Sequence, residues 1–116
     1  MEKLCKIRDI QRIVNRFEQE FEKRYGICLN EGMALCSLMK QDSLSSGEIG
    51  ELLGLTSSNN SKVLRSVELK GLVERVVGSK DKRQMYFSLT PQGRELISRV
   101  TCGDFDITPL IRALSD

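Results

Sequence analysis

The 116-residue sequence contains no histidine and no tryptophan, and aromatic residues make up only 5% of it. Without histidine, the chain lacks the usual general base of Ser-His-Asp and Cys-His enzymes and a common ligand of zinc. It also has no glycine-rich phosphate loop and no paired-cysteine motif. These absences argue against an enzyme, a metal centre or a bound cofactor, and they favour a binding protein.

Long apolar stretches are missing as well. The densest one, residues 33–39, is far shorter than the roughly 20 residues that a membrane-spanning helix needs. The first 24 residues are charged throughout and do not resemble a secretory signal peptide. Hydrophobic residues amount to 40% and charged residues to 29%, which is typical of a globular domain. We therefore expect one domain over residues 1–116, located in the cytoplasm and without a membrane partner.

Four cysteines are present, and their spacing matches no metal site. The simplest expectation in a reducing compartment is a set of free, at least half-buried thiols. A redox sensor is the alternative, and a structural metal site is disfavoured because thiolate ligands normally come in close pairs. Cys5 and Cys102 are the candidates for redox sensing, since both lie on terminal segments that we expect near a dimer interface.

A basic segment is hidden by the small net charge of +2. Residues 56–90 carry seven Lys/Arg against three Asp/Glu, a local net charge of +4. Such a segment is typical of a face that binds phosphates. Taken by itself, the charge is equally compatible with an ordinary solvated surface.

Apolar residues recur at steps of three and four in the first 24 residues: Leu4, Ile7, Ile10, Val14, Phe17 and Phe21. This period predicts one amphipathic helix of about twenty residues, whose apolar stripe has to be buried. The stripe could cover the core of its own chain. Because it is long for so small a protein, a second copy of the chain is the other place where it could be buried.

Helix signals follow one another in the middle of the chain. Asn30 is the expected N-cap of a helix over residues 31–40. Ser45-x-x-Glu48 is a capping box, which predicts a short helix that ends at Gly54 with a left-handed C-terminal residue.

Thr56 is the expected N-cap of a longer helix over residues 57–70. The first turns of that helix are rich in Ser and Asn, which are poor helix formers. They form either a long solvated cap or a surface that meets phosphates and base edges. Two short helices joined by a tight turn indicate a helix-turn-helix, whose second helix enters the major groove. The candidate DNA-binding residues on this helix are Ser57, Ser58, Asn60, Ser61, Lys62 and Arg65.

A basic hairpin follows the helix-turn-helix. Residues 72–77 and 84–89 have strand composition, and the turn at 78–83 between them is polar and basic. Such a hairpin is the wing of a winged helix, and its tip can contact the DNA backbone or the minor groove. The candidate contacts are Lys80, Lys82 and Arg83. Asp81 is expected to orient a neighbouring arginine, because its carboxylate would repel phosphate.

The pattern from Leu44 to Gly93 resembles the MarR-type winged-helix transcriptional regulators. The similarity lies in the segments Leu44–Gly50, Lys70–Arg75, Asp81-Lys82-Arg83 and Leu89–Gly93. The last two match the D-x-R wing motif and the LTxxG ending of that family.

The resemblance implies a mainly α fold with a small β-hairpin wing. A DNA-binding winged helix-turn-helix at 30–90 would be flanked by dimerisation helices at 1–24 and 91–116. It also implies a homodimeric repressor that binds a pseudo-palindromic operator in double-stranded DNA through helix 56–70 and wing 78–83. A small-molecule effector or thiol oxidation would modulate it.

A winged helix can also serve as a protein-interaction module without DNA binding. That alternative predicts an apolar wing, and the three positive charges at the tip of the hairpin argue against it.

Overall fold

The structure is a computed structural model, and it describes residues 2–77, 85–101 and 106–115. Six helices and three strands lie in these residues, which confirms the expected mainly α fold. Their order is α1 (Glu2–Tyr25), α2 (Leu29–Lys40), β1 (Leu44–Ser45), α3 (Ser46–Leu53), α4 (Ser57–Leu69), β2 (Val73–Val77), β3 (Met85–Leu89), α5 (Pro91–Thr101) and α6 (Thr108–Ser115).

The strands form one antiparallel sheet in the order β1-β3-β2. Val73 lies opposite Leu89 in the β2–β3 pair, which confirms the predicted hairpin strands. β1 was not predicted, because two residues are too few to show an alternating pattern. Leu44 of this short strand lies opposite Phe87 of β3, and it ties the start of the helix-turn-helix to the wing.

The helix-turn-helix of α3 and α4 has the predicted caps. Ser45 Oγ accepts a hydrogen bond from the Glu48 N–H at 3.1 Å, and the Glu48 carboxylate accepts one from the Ser45 N–H at 2.9 Å. Gly54 ends α3 with a φ of 67°, a left-handed conformation that glycine adopts without steric cost. Thr56 Oγ1 accepts a hydrogen bond from the Asn59 N–H at 3.2 Å and starts α4.

The start of α2 differs from the prediction. The N-cap is Cys28 and not Asn30, and the helix begins at Leu29. The Glu31 carboxylate accepts a hydrogen bond from the Cys28 N–H at 2.9 Å, and Glu18 of α1 accepts one from the Leu29 N–H at 3.0 Å. The Glu18 acceptor comes from another helix, so local sequence gave no sign of it.

The start of α5 packs closely against the backbone that precedes β2. The Thr90 hydroxyl donates to the Gly71 carbonyl at 2.7 Å and accepts from the Gly93 N–H at 3.0 Å. A Cβ atom on Gly93 would lie 2.0 Å from the carbonyl oxygen of Leu72. The glycine of the LTxxG segment is therefore required by packing between this helix and the backbone before β2.

The helix α1 changes character along its length. Phe21, near its C-terminal end, is only 3% exposed and belongs to the core, whereas Leu4 and Ile7 near the other end are 69% and 53% exposed. α6 packs against α1 and keeps Ile111 and Leu114 exposed. The two terminal helices thus carry apolar side chains that the described part of one chain leaves open to solvent.

Candidate nucleic-acid interface

The helix α4 has two distinct faces. Val63, Leu64 and Val67 are buried and hold the helix against the core. Five of the six residues predicted to contact DNA lie together on the exposed side: Ser57, Ser58, Ser61, Lys62 and Arg65. The exposed face of α4, defined by these five residues, is accessible to a ligand as large as a nucleic acid.

Asn60 is the exception, and the expectation of a base contact from it is corrected. Its side chain is 7% exposed, and its Nδ2 donates to the Ser46 carbonyl oxygen at 2.8 Å. A Cβ atom on Gly50 would lie 2.8 Å from that nitrogen, so the glycine makes room for the amide. Asn60 therefore joins α4 to α3. The sequence contained the signal, because Asn60 precedes Val63 and Leu64 by three and four residues and so shares their face.

Asn59 was not among the predicted contacts, although its side chain lies exposed beside Ser58 and Lys62. An amide can bond an adenine edge with two hydrogen bonds. Asn59, and not Asn60, therefore presents an amide on the exposed side of α4. The same three- and four-residue periodicity, applied strictly, would have identified it.

Positive charge dominates the exposed face of α4. The first turn of the helix contains no acidic residue. Lys62 and Arg65 follow on the next turns. Glu68, the first carboxylate along α4, forms a two-pronged ion pair with Arg75 of β2, with N–O distances of 2.8 and 3.2 Å. That carboxylate is thus neutralised by the sheet, and the charges of Lys62 and Arg65 are left to act on an anion.

A groove of about 210 Å³ runs between α4 and the sheet. Ser61 and Arg65 line one wall, and Arg75 and Phe87 line the other. The groove connects the exposed face of α4 with the strands that lead to the wing. The predicted wing contacts Lys80, Asp81, Lys82 and Arg83 lie outside the described residues.

A second cavity, of about 370 Å³, lies where the end of α1, the end of α4 and α5 meet. Tyr25 and Ile27 come from the end of α1 and the turn after it, and Lys70 follows α4. Gln92 and Arg99 of α5 complete the polar lining together with Glu95. The lining of this cavity thus contains two cations, one carboxylate and one aromatic ring.

The described thiols are free cysteines. Cys5 is half-buried on α1, and Cys102, the other predicted redox candidate, lies outside the described residues. Burial raises the pKa of the Cys28 thiol, and the nearby carboxylates of Glu31 and Glu18 raise it further, against a lowering hydrogen bond from the Glu31 backbone. Cys28 is therefore a protonated and weakly nucleophilic thiol at neutral pH.

Within residues 2–77, 85–101 and 106–115, no cluster of three or more Cys, Asp or Glu side chains could hold a metal ion. None of the helices in these same ranges combines the length and the apolar character of a membrane span.

A winged helix with a cationic, exposed second helix defines a class of DNA-associated regulators, and comparison with known proteins gives the family. The model of the family described as transcriptional regulator SarA/Rot matches residues 16–100. The chain therefore belongs to the SarA/Rot family of transcriptional regulators, and its resemblance to MarR-type winged-helix proteins is confirmed. The description of this family is that of transcriptional regulators.

Individual relatives support the same family. The HTH-type transcriptional regulator PapX of Escherichia coli is 34% identical over 94 residues, which are 79% of this chain and 57% of PapX. The chain spans about half the length of the curated relatives that it matches.

Solved structures share the fold. The S. aureus MepR–DNA complex is 28% identical with a TM-score of 0.67, and the similarity covers 83% of this chain and 79% of MepR. The apo form of E. coli MarR is 22% identical with a TM-score of 0.75, over 99% of this chain and 82% of MarR.

Proposed function

We propose that the protein is a cytoplasmic, sequence-specific regulator of transcription that binds double-stranded DNA as a homodimer and acts as a repressor at a pseudo-palindromic operator. Residues 30–90 form the DNA-binding winged helix-turn-helix in this proposal. Helix 56–70 reads the major groove, and wing 78–83 contacts the backbone or the minor groove.

The observation that carries the proposal is the exposed face of α4. Ser57, Ser58 and Ser61 offer short hydrogen-bonding groups, while Lys62 and Arg65 offer charge. Serine can bond to any base edge, and arginine bonds guanine or phosphate. The S. aureus MepR structure, which shares this fold, is a complex with DNA, and this supports the same ligand here.

The proposed dimer rests on the terminal segments 1–24 and 91–116, and within them on the two terminal helices α1 and α6. Leu4 and Ile7 on α1 and Ile111 and Leu114 on α6 are each more than half exposed. Apolar side chains grouped on two adjoining helices indicate an interaction surface. A second copy of the chain covers them in a two-fold arrangement, which places two α4 helices roughly one DNA turn apart.

Two routes of regulation are proposed. A small aromatic anion binds in the 370 Å³ cavity and contacts Lys70 and Arg99. Peroxide oxidation of Cys5 or Cys102 is the second route, since both cysteines belong to the terminal segments. Oxidation is expected to weaken DNA binding by the wild type and to leave a Cys5→Ser/Cys102→Ser variant unaffected. Equal sensitivity of both proteins would contradict a sensing role.

Selection of bound sequences from random double-stranded DNA, with purified protein, tests the function. We expect an enriched motif with two inverted halves. Arg65→Ala should weaken binding and lower the slope of log affinity against log salt by about one. Arg83→Ala on the wing should weaken binding to all sequences in the same manner.

Lys23→Ala is the matched control, since it removes an exposed cation from α1 and is expected to leave the salt slope unchanged. No enriched motif, together with unchanged affinity in Arg65→Ala, would contradict DNA binding and favour a protein-interaction module.

A further inference from the structure

A buried carboxylate lies behind α4, on the side away from the proposed DNA surface. Glu31 of α2 is only 4% exposed. The Ser66 hydroxyl donates to it at 2.7 Å, and the Lys70 ammonium, at the end of the same helix, is 3.0 Å from both carboxylate oxygens. A buried charge is costly unless it is paired and hydrogen-bonded, so these contacts constrain where the last turns of α4 can lie.

The contacts of this carboxylate extend to α1. Glu31 accepts a hydrogen bond from the Cys28 N–H at 2.9 Å, and Lys70 also donates to the Gly26 carbonyl at 3.4 Å. The next N–H, that of Leu29, donates to Glu18 of α1 at 3.0 Å. A continuous series of polar contacts therefore connects α1, the turn between α1 and α2, and the C-terminal half of α4.

Two further polar contacts of α4, among those within the described residues, lead elsewhere. At its N-terminal end, Asn60 bonds the Ser46 carbonyl at the start of α3, within the helix-turn-helix itself. On its flank, Glu68 pairs with Arg75 of the sheet, and that pair is partly exposed. Both hold α4 inside the winged helix, whereas the Glu31 contacts relate α4 to the helix that carries the exposed apolar stripe.

We infer that Glu31 is a positioning residue for DNA recognition: through Ser66 and Lys70 it ties the orientation of α4 to α1, and so sets the half-site spacing that the dimer accepts. The inference rests on the proposed function, because spacing has a meaning only for a dimer with two DNA-reading helices. The apolar side chains of α4 hold it against the core, but apolar contacts depend little on direction and restrain the orientation of the helix weakly. The hydrogen bonds of the Glu31 carboxylate depend on direction and therefore restrain that orientation.

Glu31→Gln removes the charge while keeping the size of the side chain. One amide oxygen then remains for the Cys28 N–H and the Lys70 ammonium. The amide NH₂ can donate to the Ser66 hydroxyl, which has to become an acceptor, but it cannot donate to the ammonium. Val63, Leu64 and Val67 still hold the helix, so we expect a folded protein with a less strictly oriented α4.

The test uses the selected operator in versions whose half-sites are one base pair closer, unchanged, or one or two base pairs farther apart. Each added base pair rotates one half-site by about 34° relative to the other. Wild type should prefer the unchanged spacing. In Glu31→Gln this preference should fall by about 2–30-fold, the range of coupling changes that such residues produce. Discrimination among bases within a half-site should stay as in wild type.

Four further variants separate positioning from stability. Lys70→Arg should keep the spacing preference, because it keeps a cation beside Glu31, and Lys70→Met should lose it. If Glu31→Gln does not fold, Ser66→Ala replaces it in the test, because it deletes a single donor to Glu31 and should also weaken the preference for the unchanged half-site spacing. Ile97→Val removes a buried methyl group from α5, far in sequence from these contacts, and serves as the control for lowered stability.

A uniform loss of affinity at every spacing in Glu31→Gln, like that in Ile97→Val, would overturn the inference and leave the proposed function intact. Failure of the wild type to bind DNA at all would overturn the proposed function, and the inference with it.

Discussion

The winged helix and the terminal helices differ in how completely one chain buries their apolar surface. From α2 to α5, each helix has core-facing apolar residues that are buried, and Ile49, Val67 and Ile97 are at most 1% exposed. Some apolar side chains of this region, such as Leu52 and Leu69, lie outside that core and are exposed. The apolar stripe of α1 is buried at Phe21 but exposed to solvent at Leu4. An amphipathic pattern thus predicts which face of a helix is apolar, but it does not predict which surface covers that face. The apolar faces of the winged helix are covered by other parts of the same chain, whereas the first half of α1 is left exposed.

The largest loss of stability is expected where α5 packs against the backbone before β2. Gly93→Ala places a methyl group 2.0 Å from the Leu72 carbonyl oxygen, an impossible contact unless α5 or the start of β2 moves. We expect a loss of more than about 4 kcal/mol in the free energy of unfolding, measured by urea denaturation followed by circular dichroism.

Gly47→Ala is the control for this substitution. Its methyl group meets nothing closer than Ser45 Oγ at 4.0 Å, and alanine is the better helix former in α3. It should be neutral or stabilising by up to about 1 kcal/mol. An equal loss in the free energy of unfolding of Gly93→Ala and Gly47→Ala would contradict this account. It would show that the close approach of α5 to the start of β2 is not the reason why Gly93 cannot be replaced.

The second effect concerns the terminal helices alone. Leu4→Ser removes an exposed apolar side chain that the proposed dimer buries twice. Dimer association should weaken by about 3 kcal/mol or more, at roughly 1.5–3 kcal/mol for each leucine, measured by sedimentation equilibrium. The unfolding of the winged helix should be little changed once the variant is monomeric. Gln11→Ser, at an exposed polar position of α1, should leave association as in wild type.

Neighbouring amides on α4 sharpen the comparison within the winged helix. Asn60→Ala should lower the free energy of unfolding by about 1–2 kcal/mol, because the Ser46 carbonyl loses its donor. Asn59→Ala should change stability by less than about 0.5 kcal/mol and reduce discrimination at one or two base pairs by about 1–3 kcal/mol. Denaturation and competition binding together check the pair. A loss of base discrimination in Asn60→Ala and a loss of stability in Asn59→Ala would contradict this account, because Asn60 would then be the amide that faces DNA.

The smallest effect is a pH dependence. Burial raises the pKa of Glu31, but the hydrogen bonds from Cys28, Ser66 and Lys70 outweigh it, and the net pKa lies below that of an ordinary glutamate. The stability that this carboxylate contributes is therefore fully present above the ordinary glutamate pKa of about 4.3 and is lost as the pH falls through the lower native pKa. The stability difference between wild type and Glu31→Gln should narrow over that acidic window. A difference that stays constant with pH would contradict the ionised, paired carboxylate.

Much of the fold could be predicted because its signals are local. The Ser45-x-x-Glu48 box, Thr56 and Gly54 fix the ends of α3 and α4 through contacts within four residues. The errors came from contacts across longer distances. The predicted cap of α2, Asn30, is wrong, and one of the contacts that start the helix at Cys28 is the Glu18 carboxylate, which comes from α1. β1 went unnoticed because its pairing partner, Phe87, is more than forty residues away.

The candidate site shows the same division. Five of the polar residues of α4 predicted to contact DNA lie on an exposed face, and composition and helix periodicity suffice to expect that exposure. Asn60 was misassigned because residue type was weighted above periodicity. The buried Glu31 was not noticed as a site residue at all: its partners Ser66 and Lys70 lie more than thirty residues along the chain, and a glutamate in a first helical turn is ordinary on its own.

Sedimentation equilibrium of the wild-type chain at micromolar concentration tests the central claim most directly, namely that the winged helix is complete in one chain and the terminal helices require a second. The account predicts the mass of two chains, falling to that of one chain in Leu4→Ser while the helical circular-dichroism signal of the winged helix is retained. A wild-type protein with the mass of a single chain at that concentration would contradict it.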